Sequence, residues 1–275
     1  MTRPFAQVDV FAGGAVSGNP VAVVHDADGL SDEQMLAFAR WTNLSETTFI
    51  VSAPDDADYS VRIFTPSAEI PFAGHPTLGT AHAWLERGGK PRNADYMVQH
   101  CGAGLVRIAR GDVLQFRAPP FFRSGNVDPD ELAQVARALN LSVNAVRHAS
   151  WIDNGPGWMG LVLESADAVL KLRPDNNALR DWRIGVIGPY TNGPADFEVR
   201  AFAPCLGVPE DPVTGSLNAG FGVWLTRAGL APARYSVRQG TVIGRQGDVT
   251  VSRDAHGDVW VGGACHTVIK GTVDF

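Results

Sequence analysis

The sequence of 275 residues has only three cysteines, Cys101, Cys205 and Cys265, and it has neither a basic run nor a long apolar run. The wide spacing of the cysteines argues against a C-x-x-C metal or redox motif and against a disulfide framework. With a net charge of −6, the chain lacks the basic face that nucleic acid or an anionic membrane attracts. Because it starts directly with an alternating strand pattern and has no segment of membrane-spanning length, we expect a cytoplasmic protein without membrane contact.

Signatures of the common cofactor sites are also missing. No G-x-G-x-x-G opens a β-α-β unit and no G-x-x-x-x-G-K-[ST] occurs, so neither a dinucleotide nor a phosphate loop is expected. The only lysines are Lys90, Lys171 and Lys270, and none lies in a setting that favours a pyridoxal Schiff base. His75 and His82 are seven residues apart without an H-E-x-x-H motif, which argues against a metal site. We therefore predict an activity that uses no cofactor and no metal.

Short β-branched and aromatic runs recur between Gly, Pro, Asn and Asp residues, from "QVDVF" near the start to "DVWVG" near the end. This pattern predicts many strands. Two surface helices have recognisable N-caps, Ser31 with Gln34 three residues later, and Asp128 followed by a proline. Two further helices, residues 77–86 and 214–227, are apolar on nearly all sides, which indicates helices buried in a core. We therefore predict an α+β fold in which strands dominate.

The two apolar helices follow similar loops, which indicates an internal duplication. His75-Pro76-x-x-Gly79-Thr80 corresponds to Asp211-Pro212-x-x-Gly215-Ser216, 136 residues later. Three more segments agree in the same order at offsets of 136 to 138 residues: "GNP" with "NGP", "RIFTP" with "RAFAP", and "CGAGLVR" with "QGTVIGR". A nearly constant offset predicts two similar lobes. We place the first lobe at residues 1–116, completed by residues 265–275, and the second at residues 117–264.

Two helix N-termini that follow glycine-containing loops suit the binding of a carboxylate. The first N–H groups of a helix have no partner inside the helix, and the helix dipole is positive at that end. We expect both loops to reach one cleft between the lobes and to bind a small carboxylate substrate there. Glu46, at the start of the strand in "NLSETTFIV", is the predicted proton carrier, because a carboxyl group buried beside a bound carboxylate can gain and lose a proton near neutral pH.

These segments resemble the signature blocks of the PhzF-type phenazine-biosynthesis isomerases of the diaminopimelate epimerase-like superfamily. "VDVFAGGAVSGNPVAVV", "NLSETTF", "RIFTPSAEIPFAGHPTLGTAH", "NGP", "EDPVTGS" and "QGTVIGR" occur in the family's order from residue 8 to about residue 245. The resemblance implies two β-rich lobes that each wrap a central helix about a pseudo-two-fold axis, an active site between them, no cofactor and a homodimer. In the phenazine enzymes, the reaction isomerises trans-2,3-dihydro-3-hydroxyanthranilate by moving a proton between ring carbons.

The resemblance also implies the roles of individual residues. The acid/base glutamate falls on Glu46, and the other catalytic positions fall on His75, Asp211 and Ser216. The implied substrate-binding residues are Asn19, Gly74, Pro76, Thr77, Thr214 and Gly215. The related racemases carry a cysteine in each of the two loops, where this chain has Ala73 and Pro212. Positions that depart from the family pattern are expected to shape the substrate pocket, namely Trp41, Leu217 and residues 157–159.

Two alternative functions stay open at this stage. The first is an amino-acid epimerase or racemase that uses Cys101 or Cys205 as a base. The second is a non-catalytic small-molecule binder that has kept the cleft, although such a binder would have no need of a proton carrier at Glu46.

Overall fold

The structure, a computed structural model, describes all 275 residues apart from the side chain of Leu206. The chain divides into two compact units, one of residues 1–117 with 262–275 and the other of residues 118–261. These bounds differ by one to three residues from those of the predicted lobes. None of the described helices is long and apolar enough to cross a membrane.

Strands make up most of the regular structure, as the sequence predicted. In chain order they are β1 (Thr2–Val10), β2 (Asn19–Val24), β3 (Glu46–Val51), β4 (Tyr59–Phe64), β5 (Glu69–Ile70), β6 (Tyr96–Cys101), β7 (Gly104–Arg110), β8 (Leu114–Arg117), β9 (Arg123–Gly125), β10 (His148–Asp153), β11 (Met159–Val162), β12 (Ile184–Pro189), β13 (Phe197–Ala203), β14 (Val208–Asp211), β15 (Arg234–Gln239), β16 (Gly247–Arg253), β17 (Val259–Gly263) and β18 (Cys265–Asp274). The α-helices are α1 (Asp32–Thr42), α2 (Gly74–Glu86), α3 (Pro129–Ala138), α4 (Ala166–Leu170) and α5 (Gly215–Ala228).

Both units repeat one pattern of strand pairing. In the first unit, β2 is antiparallel to β1 and parallel to β3, while β4 is antiparallel to β3 and parallel to β6. In the second unit, β11 is antiparallel to β10 and parallel to β12, while β13 is antiparallel to β12 and parallel to β15. Helix α2 comes between β5 and β6, as α5 comes between β14 and β15. The internal duplication predicted from the sequence offset is thus present in the topology.

Helices α2 and α5 are the buried helices that the sequence predicted. Nine of the 13 residues of α2 and ten of the 14 residues of α5 are buried, so neither helix has a broad solvent face. Glycine lets each helix approach a strand closely. A Cβ atom on Gly79 would lie 2.3 Å from a methyl group of Val21, and one on Gly220 would lie 2.8 Å from the carbonyl oxygen of Ile152.

Helix α2 begins at Gly74, three residues before the predicted start. His75 therefore lies in the first turn of the helix, where the sequence reading had placed it in a preceding loop. Gly74 and Pro76 had indicated loop, but proline is tolerated in the first turn because its missing N–H would have no partner there. This shift fixes the His75 side chain on a rigid element.

Candidate active site

Glu46 and His75 come together where two elements of the first unit begin. Glu46 is the first residue of β3, and His75 lies in the first turn of α2. Oε2 of Glu46 is 3.3 Å from Nε2 of His75, and the two side chains are 15% and 6% exposed. The first unit therefore holds a carboxyl group and an imidazole in contact, largely away from water.

The His75 ring is neutral at ordinary pH. Burial lowers the pKa of His75 to about 3, although a hydrogen bond with the backbone of Pro20 acts in the opposite direction. A proline backbone can only accept a hydrogen bond, so the ring donates its single N–H to the Pro20 carbonyl. Nε2 consequently presents a lone pair toward Glu46. Nε2 makes no well-aligned hydrogen bond with the described residues, and long or poorly aligned contacts are common in proton-transfer sites.

The loop before β2 is fixed by Asp9, a residue that the sequence reading missed. Asp9 is buried, and its carboxylate accepts hydrogen bonds from the backbone N–H groups of Ser17 at 2.8 Å and Gly18 at 3.0 Å. A Cβ on Gly18 would lie 2.1 Å from a backbone carbonyl oxygen of β1, so this position requires glycine. The loop leads directly to Asn19, which is fully buried, and to Pro20, the partner of the His75 ring.

Three of the predicted substrate-binding residues, Gly74, Pro76 and Thr77, are buried in the first turn of α2. The Thr77 hydroxyl accepts a hydrogen bond from Nε2 of Gln99 at 3.1 Å, and Oε1 of Gln99 accepts one from the Tyr59 hydroxyl at 3.0 Å. A direct substrate contact by the Thr77 side chain would require this internal network to open.

In the second unit, Asp211 and Thr214 form the approach to α5. The Thr214 hydroxyl donates to Oδ2 of Asp211 at 2.6 Å. The fully buried Gln239 braces this segment, because Oε1 accepts from the Thr214 N–H at 3.1 Å, and Nε2 donates to the Asp211 carbonyl at 3.1 Å. Nδ2 of Asn218 also donates to Oε1 of Gln239, at 2.9 Å. The position of Asp211 is thus set by a buried amide network.

Gln99 and Gln239 have equivalent roles in the two units. Each is fully buried and hydrogen-bonds the threonine near the start of a core helix, Thr77 in α2 and Thr214 at the N-cap of α5. These glutamines are 140 residues apart, whereas the sequence comparison had aligned Cys101 with Gln239. The structure corrects that alignment by two residues.

Ser216 lies in the first turn of α5 with both of its oxygen atoms engaged. Its Oγ accepts a hydrogen bond from Nε1 of Trp158 at 3.0 Å, and its carbonyl accepts one from Nδ2 of Asn154 at 2.8 Å. The next residue, Leu217, is fully buried, and its side chain occupies the space that a Cβ on Gly185 would need. Leu217 packs in the core of the second unit, contrary to the expectation that it shapes a substrate pocket.

Helices α2 and α5 begin without a side-chain cap. The surface helices differ, because α1 has the predicted capping box of Ser31 and Gln34, and Asp128 caps α3 as predicted. The N-cap residues Ala73 and Thr214 make no capping hydrogen bond from their side chains, and neither core helix has an acidic residue in its first turn. The positive ends of both core helices are therefore uncompensated by local side chains, which favours a bound anion. The prediction that the two helices serve one substrate stays a prediction.

The cysteines differ in exposure and acidity. Cys101 is buried, its Sγ lies 3.7 Å from the carbonyl oxygen of Gly104, and burial raises the pKa of its thiol. Burial, followed by the charge of Asp9, raises the pKa of Cys265 to about 12. Cys205 is exposed. Because the thiolate is the reactive form, the structure disfavours Cys101 as a base.

Two buried histidines predict that the first unit loses stability in mild acid. Burial and then the charge of Arg87 lower the pKa of His25 to about 4, against an opposing effect of Asp26. The pKa of His75 is lowered to about 3, mainly by burial. Below a pH of about 6.5 the unfolded chain binds protons that the folded chain does not, so stability falls progressively from there toward pH 4 and below. We expect the Tm to decrease accordingly between pH 7 and pH 4.5 in scanning calorimetry.

The variant His25→Gln tests the origin of this acid sensitivity. It removes one of the two buried groups and should reduce the slope of Tm against pH. His148→Gln is the matched control, because His148 is exposed at the start of β10. Equal slopes for His25→Gln and the unchanged protein would contradict the assignment.

Residues 8–271 match the family described as phenazine biosynthesis-like protein, PhzC-PhzF. Antisense-enhancing sequence 1 of Schizosaccharomyces pombe is 38% identical over 290 residues, which cover 97% of this chain and 97% of that protein. The trans-2,3-dihydro-3-hydroxyanthranilate isomerase of Pseudomonas aeruginosa is 34% identical over 251 residues, or 88% of this chain and 87% of that enzyme. The crystal structure of a PhzF-family phenazine biosynthesis protein from Enterococcus faecalis aligns with a TM-score of 0.82 at 27% identity, over the full length of both chains. The predicted fold is confirmed.

Proposed function

The chain belongs to the PhzC-PhzF family of phenazine biosynthesis-like proteins and is an isomerase, and we propose that it moves a proton between carbons of a small carboxylate substrate without a cofactor. The observation that carries this proposal is the buried contact of Glu46 with His75. A neutral imidazole beside a carboxyl group gives the site a proton carrier and a partner that holds its proton in place.

Glu46 is the proposed carrier because the His75 ring is held neutral. The lone pair on Nε2 can accept a hydrogen bond from the protonated carboxyl group of Glu46, and so orient it. In the reaction, the Glu46 carboxylate removes a proton from one carbon of the substrate, and the resulting carboxylic acid returns a proton to another carbon. One C–H bond is broken and one is formed, so the step requires no oxidant and no reductant.

The substrate carboxylate is proposed to bind at an uncapped helix N-terminus. The N-termini of α2 and α5 lack a side-chain cap and acidic residues in the first turn, so a carboxylate there would meet free N–H groups and a favourable dipole. Asp211, which Gln239 and Thr214 hold in place, is proposed to accept a hydrogen bond from an amino or hydroxyl group of the substrate. The Ser216 hydroxyl would contact the substrate from the first turn of α5.

The compound to test first is trans-2,3-dihydro-3-hydroxyanthranilate, the substrate in the printed name of the Pseudomonas relative. Purified protein with no added cofactor should convert it, and absorbance and NMR spectra would follow the loss of the starting diene. Spectra that stay unchanged at high protein concentration would contradict this substrate. Sedimentation equilibrium of the same preparation tests the homodimer that the family resemblance implies.

Iodoacetamide is expected to leave the isomerase active. The exposed Cys205 should react, while burial protects Cys101 and Cys265 and raises the pKa of both thiols. Mass spectrometry would measure the extent of alkylation, and the rate of isomerisation would be compared before and after treatment. Inactivation in proportion to alkylation, prevented by substrate, would instead support the cysteine-dependent racemase.

A further inference from the structure

The contact between Trp158 and Ser216 fixes which way a hydroxyl group in the site can point. Trp158 comes immediately before β11 and is only 3% exposed. Its carbonyl oxygen accepts a hydrogen bond from the N–H of Ile152 at 3.0 Å. The preceding loop is held by Asp153, whose Oδ1 accepts from the N–H groups of Gly155 and Gly157 at 2.8 and 2.6 Å. The indole ring is therefore held in place before any ligand binds.

An indole N–H can donate a hydrogen bond but cannot accept one. Its contact with Oγ of Ser216 at 3.0 Å therefore occupies an oxygen lone pair and directs the hydroxyl proton elsewhere. Within the described part of the chain, the Ser216 hydroxyl has no acceptor for its own proton. Ser216 is partly exposed in the first turn of α5, so this proton can reach a ligand.

We propose that Trp158 is a positioning residue that makes Ser216 a hydrogen-bond donor to an acceptor oxygen of the substrate. This inference rests on the proposed function and narrows its substrate class. The group that meets Ser216 is an acceptor such as a carboxylate oxygen, since an ammonium or N–H group would face a hydroxyl whose oxygen is already engaged. The positive end of α5 favours the same negatively charged group. Without the indole N–H, the hydroxyl could rotate and its donor role would no longer be enforced.

Trp158→Phe tests the proposal because it removes the N–H and keeps an aromatic ring. The matched control is Trp260→Phe, since Nε1 of Trp260 donates to Oδ2 of Asp254 at 2.9 Å, in the same unit but away from Ser216. Ser216→Ala and the double variant Trp158→Phe/Ser216→Ala complete a double-mutant cycle. Binding of anthranilate, a small aromatic carboxylate, would be measured by calorimetry, and kcat and KM would be measured with trans-2,3-dihydro-3-hydroxyanthranilate.

We expect Trp158→Phe and Ser216→Ala each to weaken anthranilate binding and raise KM by about fivefold, the usual size of one hydrogen bond. The double variant should be no weaker than Ser216→Ala alone, and Trp260→Phe should bind as the unchanged protein does. A multiplied loss in the double variant would overturn the proposal, as would unchanged binding in Trp158→Phe.

Two further results separate this proposal from the proposed reaction. If Trp158→Phe does not fold, Ser216→Ala still tests the donor, because it leaves the tryptophan packing intact, and unchanged anthranilate binding would overturn the proposal. If the unchanged protein fails to bind anthranilate, the acceptor assignment is wrong. Anthranilate binding with the expected double-mutant cycle, but no turnover, would support the role of Trp158 and overturn only the proposed reaction.

Discussion

Glu46→Gln is expected to lower kcat by about 10²–10⁴-fold, the usual contribution of a general acid or base. The amide keeps the size and shape of the carboxyl group but cannot carry the proton. Binding of the substrate should stay within about tenfold, or 1.4 kcal/mol, because the helix N-termini and Ser216 are unchanged. Steady-state rates and anthranilate calorimetry on the same preparation would separate these two effects.

Glu86→Gln is the matched control for this variant. Glu86 also contacts a histidine of α2, with its Oε1 3.4 Å from Nε2 of His82, but these side chains are 34% and 22% exposed. Removal of this second glutamate should leave kcat near that of the unchanged protein. If Glu46→Gln retained a near-normal rate on a substrate that the unchanged protein isomerises, Glu46 would not be the proton carrier.

Arg200→Met is expected to cost about 3–5 kcal/mol of the free energy of unfolding, the range for breaking a buried ion pair. Nε and Nη2 of Arg200 donate to the two carboxylate oxygens of Glu210 at 2.9 and 2.8 Å, and the side chains are 3% and 12% exposed. Nη1 also donates to the carbonyl oxygens of Val169 and Leu172. Methionine would leave a buried carboxylate and two buried carbonyl groups without their donor.

The internal duplication supplies the control for this prediction. Arg62 in β4 is the counterpart of Arg200 and has a bidentate contact with Glu69, but these side chains are 28% and 42% exposed. Because exposed ion pairs contribute little, Arg62→Met should cost about 1 kcal/mol or less. Urea unfolding of both variants would show the difference. Equal losses would contradict the view that burial determines the contribution of the pair.

The sequence predicted the elements that depend on local pattern. The apolar residues on all sides of α2 and α5 indicated core helices, and the Ser31–Gln34 spacing indicated the capping box. The constant offset between repeated segments indicated two units of one topology. The start of α2 was wrong by three residues because Gly74 and Pro76 have strong loop preferences, which the packing of the helix against β1 and β2 overrides.

The parts of the site that the sequence missed depend on side chains that meet only in the folded unit. Gln99 reaches Thr77 from another strand, and the indole N–H of Trp158 reaches Ser216 across 58 residues of sequence. No periodic pattern records such a contact, because it is set by side-chain direction and the packing of separate elements. Asp9 could have been recognised from a buried strand position followed by a glycine-rich turn, but its partners are backbone N–H groups.

Isomerisation of trans-2,3-dihydro-3-hydroxyanthranilate in D₂O tests most directly the central claim that one carboxyl group both removes and returns the proton. The product would be trapped by reduction as it forms, and NMR would locate the face of the ring that carries the new hydrogen isotope. Because Glu46 acts from one side of the substrate, we predict delivery to the face from which the original hydrogen left. Delivery to the opposite face would require a second base and would contradict the account.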